Sequence, residues 1–383
     1  MVLVRLLYFA HYAGGTDAAS AMDEDLFASL RHAGHEVVVL SPFRNPSAGR
    51  AGGSVAVGRL PRFLLSVPGY GGAMLRGLRL AKGGVRIAAQ YLTFTPAAGV
   101  GFLVARITGR PLLARAHDLI PGSYRSPVEG ALNRILFRAY RRVLRHPATW
   151  IFVPSAELRD IAIRELGLPR ERLLVLPNNV TPFPAVEAGL LNRLRTTYGL
   201  ATSRVVLQFG SFTREGIGTL VRALRMVARP DVHGVVLTDP DRGALFREAA
   251  AREGVADRFV ILPTQSREIV AAFVAMADVC VGLLSAHAIA NGAVPRSSLE
   301  AMAAGKPVVL SRGLVSPSLA EGEATCLLIP PDDPQALGDA IVRVLDDRGF
   351  AAALGARARE RVRETFGSDV VAKDFLSLVD GIA

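Results

Sequence analysis

One carboxylate, one histidine and a pair of glycines carry the chemistry legible in this 383-residue chain. Glu300 lies in VPRSSLEAMAAGKPVVLS, residues 294–311. Pro295 lacks a backbone donor and belongs in an entry loop. Ser297 or Ser298 is expected to cap a helix over 299–304, which Gly305 stops in the left-handed conformation. Pro307 then starts a strand over 308–310. The pattern puts Glu300 in the first helical turn, where the macrodipole favours a carboxylate. Facing the carboxyl ends of a parallel sheet, it could hold ribose hydroxyls; the plainer alternative is a charge that only stabilises its helix. His117-Asp118 follows a strand over 112–116, and ligands bind at the carboxyl ends of parallel strands. The alternative for His117 is a loop or capping histidine. Gly14-Gly15 ends strand 2–10 and lets backbone amides approach an anion at a helix N-terminus. The pair falls short of the full dinucleotide fingerprint and is unspecific alone.

These residues need elements to hold them. After strand 2–10, Leu26, Phe27, Leu30 and Ala33 recur at helical spacing and Gly34 stops the helix before strand 37–40. This β-turn-α-β order implies a right-handed crossover and a parallel sheet. A Gly/Ser/Pro loop over 45–58 precedes a basic, apolar stretch over 60–82. Strands follow at 85–89, 111–115, 150–153 and 173–176, with helices over 95–108 and 156–166. The proline cluster of residues 177–184 starts a linker. The second half repeats the logic. Strand 205–209 ends in Gly210-Ser211, and the helix beginning near Gly216 has Leu220, Ala223, Leu224 and Val227 on its apolar face. Strands at 235–238, 259–262, 279–283 and 325–329 alternate with helices over 242–253 and 267–276. Two amphipathic helices over 335–345 and 350–365 finish the half.

Hydrophobic residues at 50% and charged residues at 21% mark a globular chain. Cys280 and Cys326 lie in apolar runs and read as reduced core thiols. Neither has a metal partner at ligand spacing, so no metal site is expected. The N-terminus has a poor signal-peptide layout, and no apolar run reaches membrane-spanning length. The net charge of +11 is uneven. Between residues 37 and 117 there is no Asp or Glu, against eleven basic residues. A second cluster, RILFRAYRRVLRH at 134–146, interleaves arginines with apolar residues. Such mixing suits an anionic membrane surface or a polyanionic substrate. The alternative is a general preference for arginine, which outnumbers lysine more than tenfold. No aromatic platform accompanies the basic segment, so nucleic acid is not an expected partner.

The order of signals resembles the retaining, nucleotide-sugar-dependent glycosyltransferases of the GT-B fold, the large glycogen-synthase-like family (group 1, or family 4). The residues carrying the resemblance are Gly14-Gly15, GHEVVVL at 34–40, His117-Asp118, VPSAEL at 153–158 and VLPNNV at 175–180. In the second half they are FGSFTREG at 209–216, ADVCVGLLS at 277–285, PRSSLEAMAAGKPVV at 295–309 and CLLIPPDDPQAL at 326–337. The resemblance implies an α/β architecture of two Rossmann-like βαβ domains facing a central cleft. Residues 1–183 would form the acceptor-side domain, 200–365 the nucleotide-sugar domain, and 366–383 a C-terminal helix returning toward the first domain. It implies His117, Gly15 and Glu300 as catalytic positions. Gly14, Gly15, Gly210, Ser211, Arg214, Arg296, Ser297, Ser298, Leu299 and Glu300 would bind the donor. No metal and no cofactor beyond the donor substrate are implied, since cations and helix dipoles neutralise a leaving diphosphate.

The departures are as specific. Ser211 and Glu215 stand where the family has an Arg and a Lys, and Gly292 where it has a second acid. Ser297 replaces a lysine found in a related subgroup. Losing two cations in a partly desolvated site costs roughly several kcal/mol of phosphate stabilisation. Arg214, Arg296 and Lys306 are the replacements at hand, although Lys306, after the helix-stop glycine, reads as a solvated turn residue. The first reading is retaining transfer to a hydroxyl acceptor, lipid-linked or polysaccharide, by a cytoplasmic enzyme peripheral at the inner membrane face. The others are a degenerate, non-catalytic GT-B protein and a natural-product transferase with a small soluble acceptor.

Overall fold

The computed structural model describes residues 3–10, 12–13, 18–41, 43–44, 60–81, 84–91, 97–116, 141–210, 214–284, 292–321 and 324–382. They form two compact units. The first comprises the described residues of Met1–Ala48, Val55–Asn179 and Ser368–Ala383, and the second is Val180–Gly367.

The first unit is built on strands β1 (Arg5–Phe9), β3 (Glu36–Leu40), β5 (Val85–Tyr91), β6 (Leu112–Ala116), β7 (Thr149–Val153) and β8 (Leu173–Val175). All pair in parallel in the order β3-β1-β5-β6-β7-β8. A small pair, β2 (Tyr12–Ala13) and β4 (Phe43–Arg44), stands apart. The helices are α1 (Ala18–His32), α2 (Leu60–Leu80), α3 (Ala97–Ile107) and α4 (Ala156–Leu166). Both sheet faces are covered, which is why the strands read as nearly unbroken apolar runs. Leu7, Phe9, Ile87, Ala89 and Leu112 face α2 and α3 through Tyr70, Ala73, Ala97 and Val104. Leu6, Tyr8, Ala88 and Leu113 face α1 through Leu26, Phe27 and Leu30. Gly101 lets α3 lie close, since a β-carbon there would come within 2.9 Å of Ala89 Cβ. Helix α4 starts and stops as its sequence dictates. Ser155 accepts from the Leu158 amide, and Gly167 closes the end at φ 58°.

The second unit opens with α5 (Ala188–Thr197), which the sequence pattern did not announce because no side chain caps it. Its strands β9 (Arg204–Phe209), β10 (Val232–Thr238), β11 (Phe259–Pro263), β12 (Val279–Val281), β13 (Val308–Ser311) and β14 (Leu327–Ile329) are again all parallel, ordered β11-β10-β9-β12-β13-β14. The direction of strand addition reverses between β9 and β12, which is the ligand-binding position of open parallel sheets. The helices are α6 (Arg214–Met226), α7 (Pro240–Arg252), α8 (Arg267–Met276), α9 (Arg296–Ala303), α10 (Pro317–Ala320), α11 (Pro334–Asp346) and α12 (Arg348–Arg361). Cys280 and Cys326 are buried in the core, and burial pushes the Cys280 thiol up to about 12.

The chain then returns to the first unit as α13 (Ser368–Asp380), laying Val371, Ala372, Phe375 and Val379 against the α1 side of that sheet. Where it leaves and re-enters, a buried polar network replaces apolar packing. Tyr8 donates to Asp23 Oδ2 at 2.5 Å, and Asp23 Oδ1 lies 3.3 Å from Arg115 Nη1. Arg115 donates to Asn179 Oδ1 at 2.7 Å, and Asn179 donates to the Met22 carbonyl and Ser368 Oγ, each at 3.0 Å. Among the described residues no helix is long and apolar enough to cross a membrane.

Candidate functional site

The switch point of the second sheet brings the end of β9 against the start of α9. Gly210 follows β9 at φ 93°, and a β-carbon there would lie 3.2 Å from Ser297 Oγ. Both the backbone angle and the close approach require glycine. Ser297 is partly exposed beside it, whereas Ser298 is buried against Gly282.

Helix α9 corrects two expectations. It begins at Arg296, with Pro295 as its N-cap at φ −70°, and no side chain caps it. Proline sets the entry angle in place of a serine cap. Glu300 is therefore the fifth helical residue, beyond the first turn, and the macrodipole does not hold its charge. Two arginines do. Arg296 Nε donates to Glu300 Oε1 at 2.9 Å, and Arg267 Nη1, from the start of α8, donates to the same oxygen at 3.0 Å. Arg296 and Glu300 are both buried, each 8% exposed. Oε2 of Glu300 accepts no hydrogen bond from any described residue. Sequence reasoning missed Arg267, which sits 33 positions before Glu300 and whose only local signal was its place after the Ser266 cap.

Leu299 does not fit a ligand contact. Its side chain is fully buried in the core and its amide bonds to the Pro295 carbonyl. Lys306 is not a solvated turn residue either. Nζ donates to the carbonyls of Ala275 and Ala277 at 2.7 and 2.9 Å, closing the end of α8, and burial pushes its ammonium below the ordinary range. It is spent on the fold. The helix stop itself follows the pattern, with Gly305 at φ 72° and the amides of Gly305 and Lys306 returning to Met302 and Ala301. Gly292, where a second acid was absent, adopts φ 78°, so the backbone there is glycine-specific as well. Gly14, Gly15, His117, Ser211 and the side chains of Arg214 and Glu215 lie outside the described residues. The structure thus brings together Gly210, Arg296, Ser297, Ser298 and Glu300 and adds Arg267. Among the described residues no cluster of three or more His, Cys, Asp or Glu could hold a metal ion.

Residues 203–347 match the family described as Glycosyl transferases group 1, and residues 24–182 match Glycosyltransferase Family 4. The chain is 28% identical to the alpha-D-kanosaminyltransferase of Streptomyces kanamyceticus over 90% of its length and 92% of that protein. It is 27% identical to the MMP alpha-(1->4)-mannosyltransferase of Mycolicibacterium hassiacum over 74% of this chain and 68% of the relative. Among solved structures, Anabaena HepE in complex with UDP and glucose superposes with a TM-score of 0.73 at 18% identity, covering 99% of this chain and 100% of that one. The sucrose-phosphate synthase of Thermosynechococcus elongatus gives a TM-score of 0.73 at 21% identity, covering 99% of each. With family matches in both halves and both parallel sheets in place, the chain belongs to the group 1 glycosyltransferases and has the GT-B fold.

Proposed function

We propose that this protein transfers a sugar, with retention of anomeric configuration, from a nucleoside diphosphate sugar to a hydroxyl acceptor, the donor being held by the Val180–Gly367 unit. The observation that carries the reading is Glu300 at the switch point. It is a buried carboxylate with Oε1 occupied by two arginines and Oε2 open to a ribose diol. The uncapped amino end of α9, beside Gly210, suits the diphosphate. The complex of HepE with UDP and glucose supports this class of donor.

In the proposed step the bond from the anomeric carbon to the diphosphate oxygen breaks. A bond to the acceptor oxygen forms on the same face, and the acceptor's proton passes to the departing phosphate oxygen. In this reading no dedicated base and no metal is needed, and the amino end of α9 faces the charge that develops on the diphosphate. A panel of nucleotide sugars assayed for released nucleoside diphosphate, with a hydrolysis control, tests the reading. Glu300→Ala and His117→Ala should each cut turnover at least about tenfold. Full activity in both variants overturns the site.

A specific surface favours an acceptor at an anionic membrane over a small soluble one. Leu75, Leu103 and Ile107 are 55%, 49% and 64% exposed on α2 and α3, beside exposed Arg76, Arg79 and Arg106. Residues 180–367 carry 21 basic and 20 acidic residues, against 24 and 14 in the rest of the chain. Apolar side chains among unopposed cations match an anionic lipid surface. Flotation with anionic liposomes separates the cases, since an enzyme of soluble acceptors stays at the bottom of the gradient. The degenerate reading, motivated by Ser211, Glu215 and Gly292, requires that no nucleoside diphosphate binds saturably in calorimetry.

A further inference from the structure

Arg267 makes three contacts, all inside the second unit. Nη1 donates to Glu300 Oε1 at 3.0 Å, and Nη2 donates to the Thr181 carbonyl at 2.7 Å. The guanidinium carbon stands 4.7 Å from the centre of the Phe183 ring. Thr181 and Phe183 belong to the first residues after the chain enters this unit at Val180. One planar fork therefore joins the entering segment to the buried carboxylate of α9.

The geometry at Glu300 shows what the fork does. A carboxylate oxygen offers two lone pairs. Arg296 and Arg267 both donate to Oε1, which fills it, and the remaining accepting capacity lies on Oε2. Arg296 alone holds Glu300 by one Nε contact within the same helix, four residues away. The second cation, from another helix, fixes the direction of the carboxylate plane. We infer that Arg267 is a positioning residue, holding Glu300 so that Oε2 faces the nucleotide ribose, with Thr181 and Phe183 setting the place of the guanidinium. This rests on the reading that Glu300 binds the donor nucleotide.

A merely structural role predicts something different. The Arg267 side chain is 41% exposed, and ion pairs at that exposure add little to fold stability. Replacing it should hardly move the melting temperature yet should weaken ligand binding. Lysine, a point charge without a fork, can satisfy the carboxylate but cannot also reach Thr181 and stack on Phe183.

Calorimetric titration of the full chain with UDP, GDP and ADP tests this. For the nucleotide that binds, Arg267→Gln should weaken affinity about tenfold, with Arg267→Lys in between. Because Arg267 acts through Glu300, the double variant with Glu300→Gln should bind no more weakly than Glu300→Gln alone. If Glu300→Gln weakens binding while Arg267→Gln leaves it unchanged or tightens it, the inference fails and the donor-site reading stands. Additive losses in the double variant, or a loss that parallels a fall in melting temperature, also overturn it. If Glu300→Gln binds as tightly as the unaltered protein, the reading beneath the inference fails.

Discussion

Asn179 and Ser368 are 189 positions apart in the chain, yet Asn179 Nδ2 donates to Ser368 Oγ at 3.0 Å. They are the last residue before the chain leaves the first unit and the first after it returns. The Asn179 side chain spends its amide on Ser368 and the Met22 carbonyl and its oxygen on Arg115. It is fully buried, so each of these bonds is made away from water.

Asn179→Ala leaves the buried Arg115 without one acceptor and removes a side-chain donor from the Met22 carbonyl. The expected cost is about 2–3 kcal/mol in the unfolding of the first unit, in line with stranded partners of a buried charge. Urea unfolding followed by Trp150, the single tryptophan and a residue of β7, reads that unit directly. Asn179→Asp should cost less, because the Arg115 acceptor survives.

Gly210→Ala meets two obstacles together, a φ of 93° and Ser297 Oγ 3.2 Å from the new carbon. The outcome expected is a shift of the α9 start away from β9 and a loss of nucleotide affinity of about tenfold or more. Adding Ser297→Gly relieves the contact but not the angle, so it should restore only part of the affinity in a calorimetric titration.

Gly292→Asp tests whether the missing second acid can be put back. The position sits at φ 78°, which costs a side-chain-bearing residue about 1–2 kcal/mol. Lower melting temperature with no gain in turnover is the expected result, and a gain would mean the loop re-forms around the acid.

His146 gives the first unit a pH dependence of definite sign. Its Nδ1 accepts from the Ala148 amide at 3.1 Å, so the neutral ring is the one the fold uses. Burial, then Arg106 and Arg172, push it below its ordinary 6.5. The unfolded chain therefore takes the proton first. Stability from this group is complete above about 6.5 and falls as pH drops from there to the folded value. In denaturation at a series of pH values, His146→Gln should flatten the profile in that window.

Both sheets, their parallel sense and most helix positions were legible, because a strand covered on two faces must read as an apolar run and a crossover must be right-handed. Helix α4 begins after Ser155, whose side chain caps it. What stayed hidden was tertiary. Helix α2 contains Pro61, Pro68 and a Gly71-Gly72 pair, which local propensity counts against it. Arg267 and Lys306 became a carboxylate clamp and a helix-end clamp only through partners about thirty residues away. Glu300 was found by its neighbourhood, yet the reason offered for its charge was wrong, since Pro295 moves the helix start and two arginines supply what the dipole does not.

The double passage of the chain also sets an order of synthesis. The described residues of the second unit run in one stretch from Val180 to Gly367, so every contact among them is available once Gly367 has left the ribosome. The first unit begins earlier but ends later. Its α1-side layer, with Phe152 against Phe375 at 5.5 Å, cannot close until Ser368–Asp380 has been made. The N-terminal sheet must wait through the translation of nearly two hundred residues with one apolar face covered by α1 alone. During that interval it is the half of the nascent protein that a chaperone would hold.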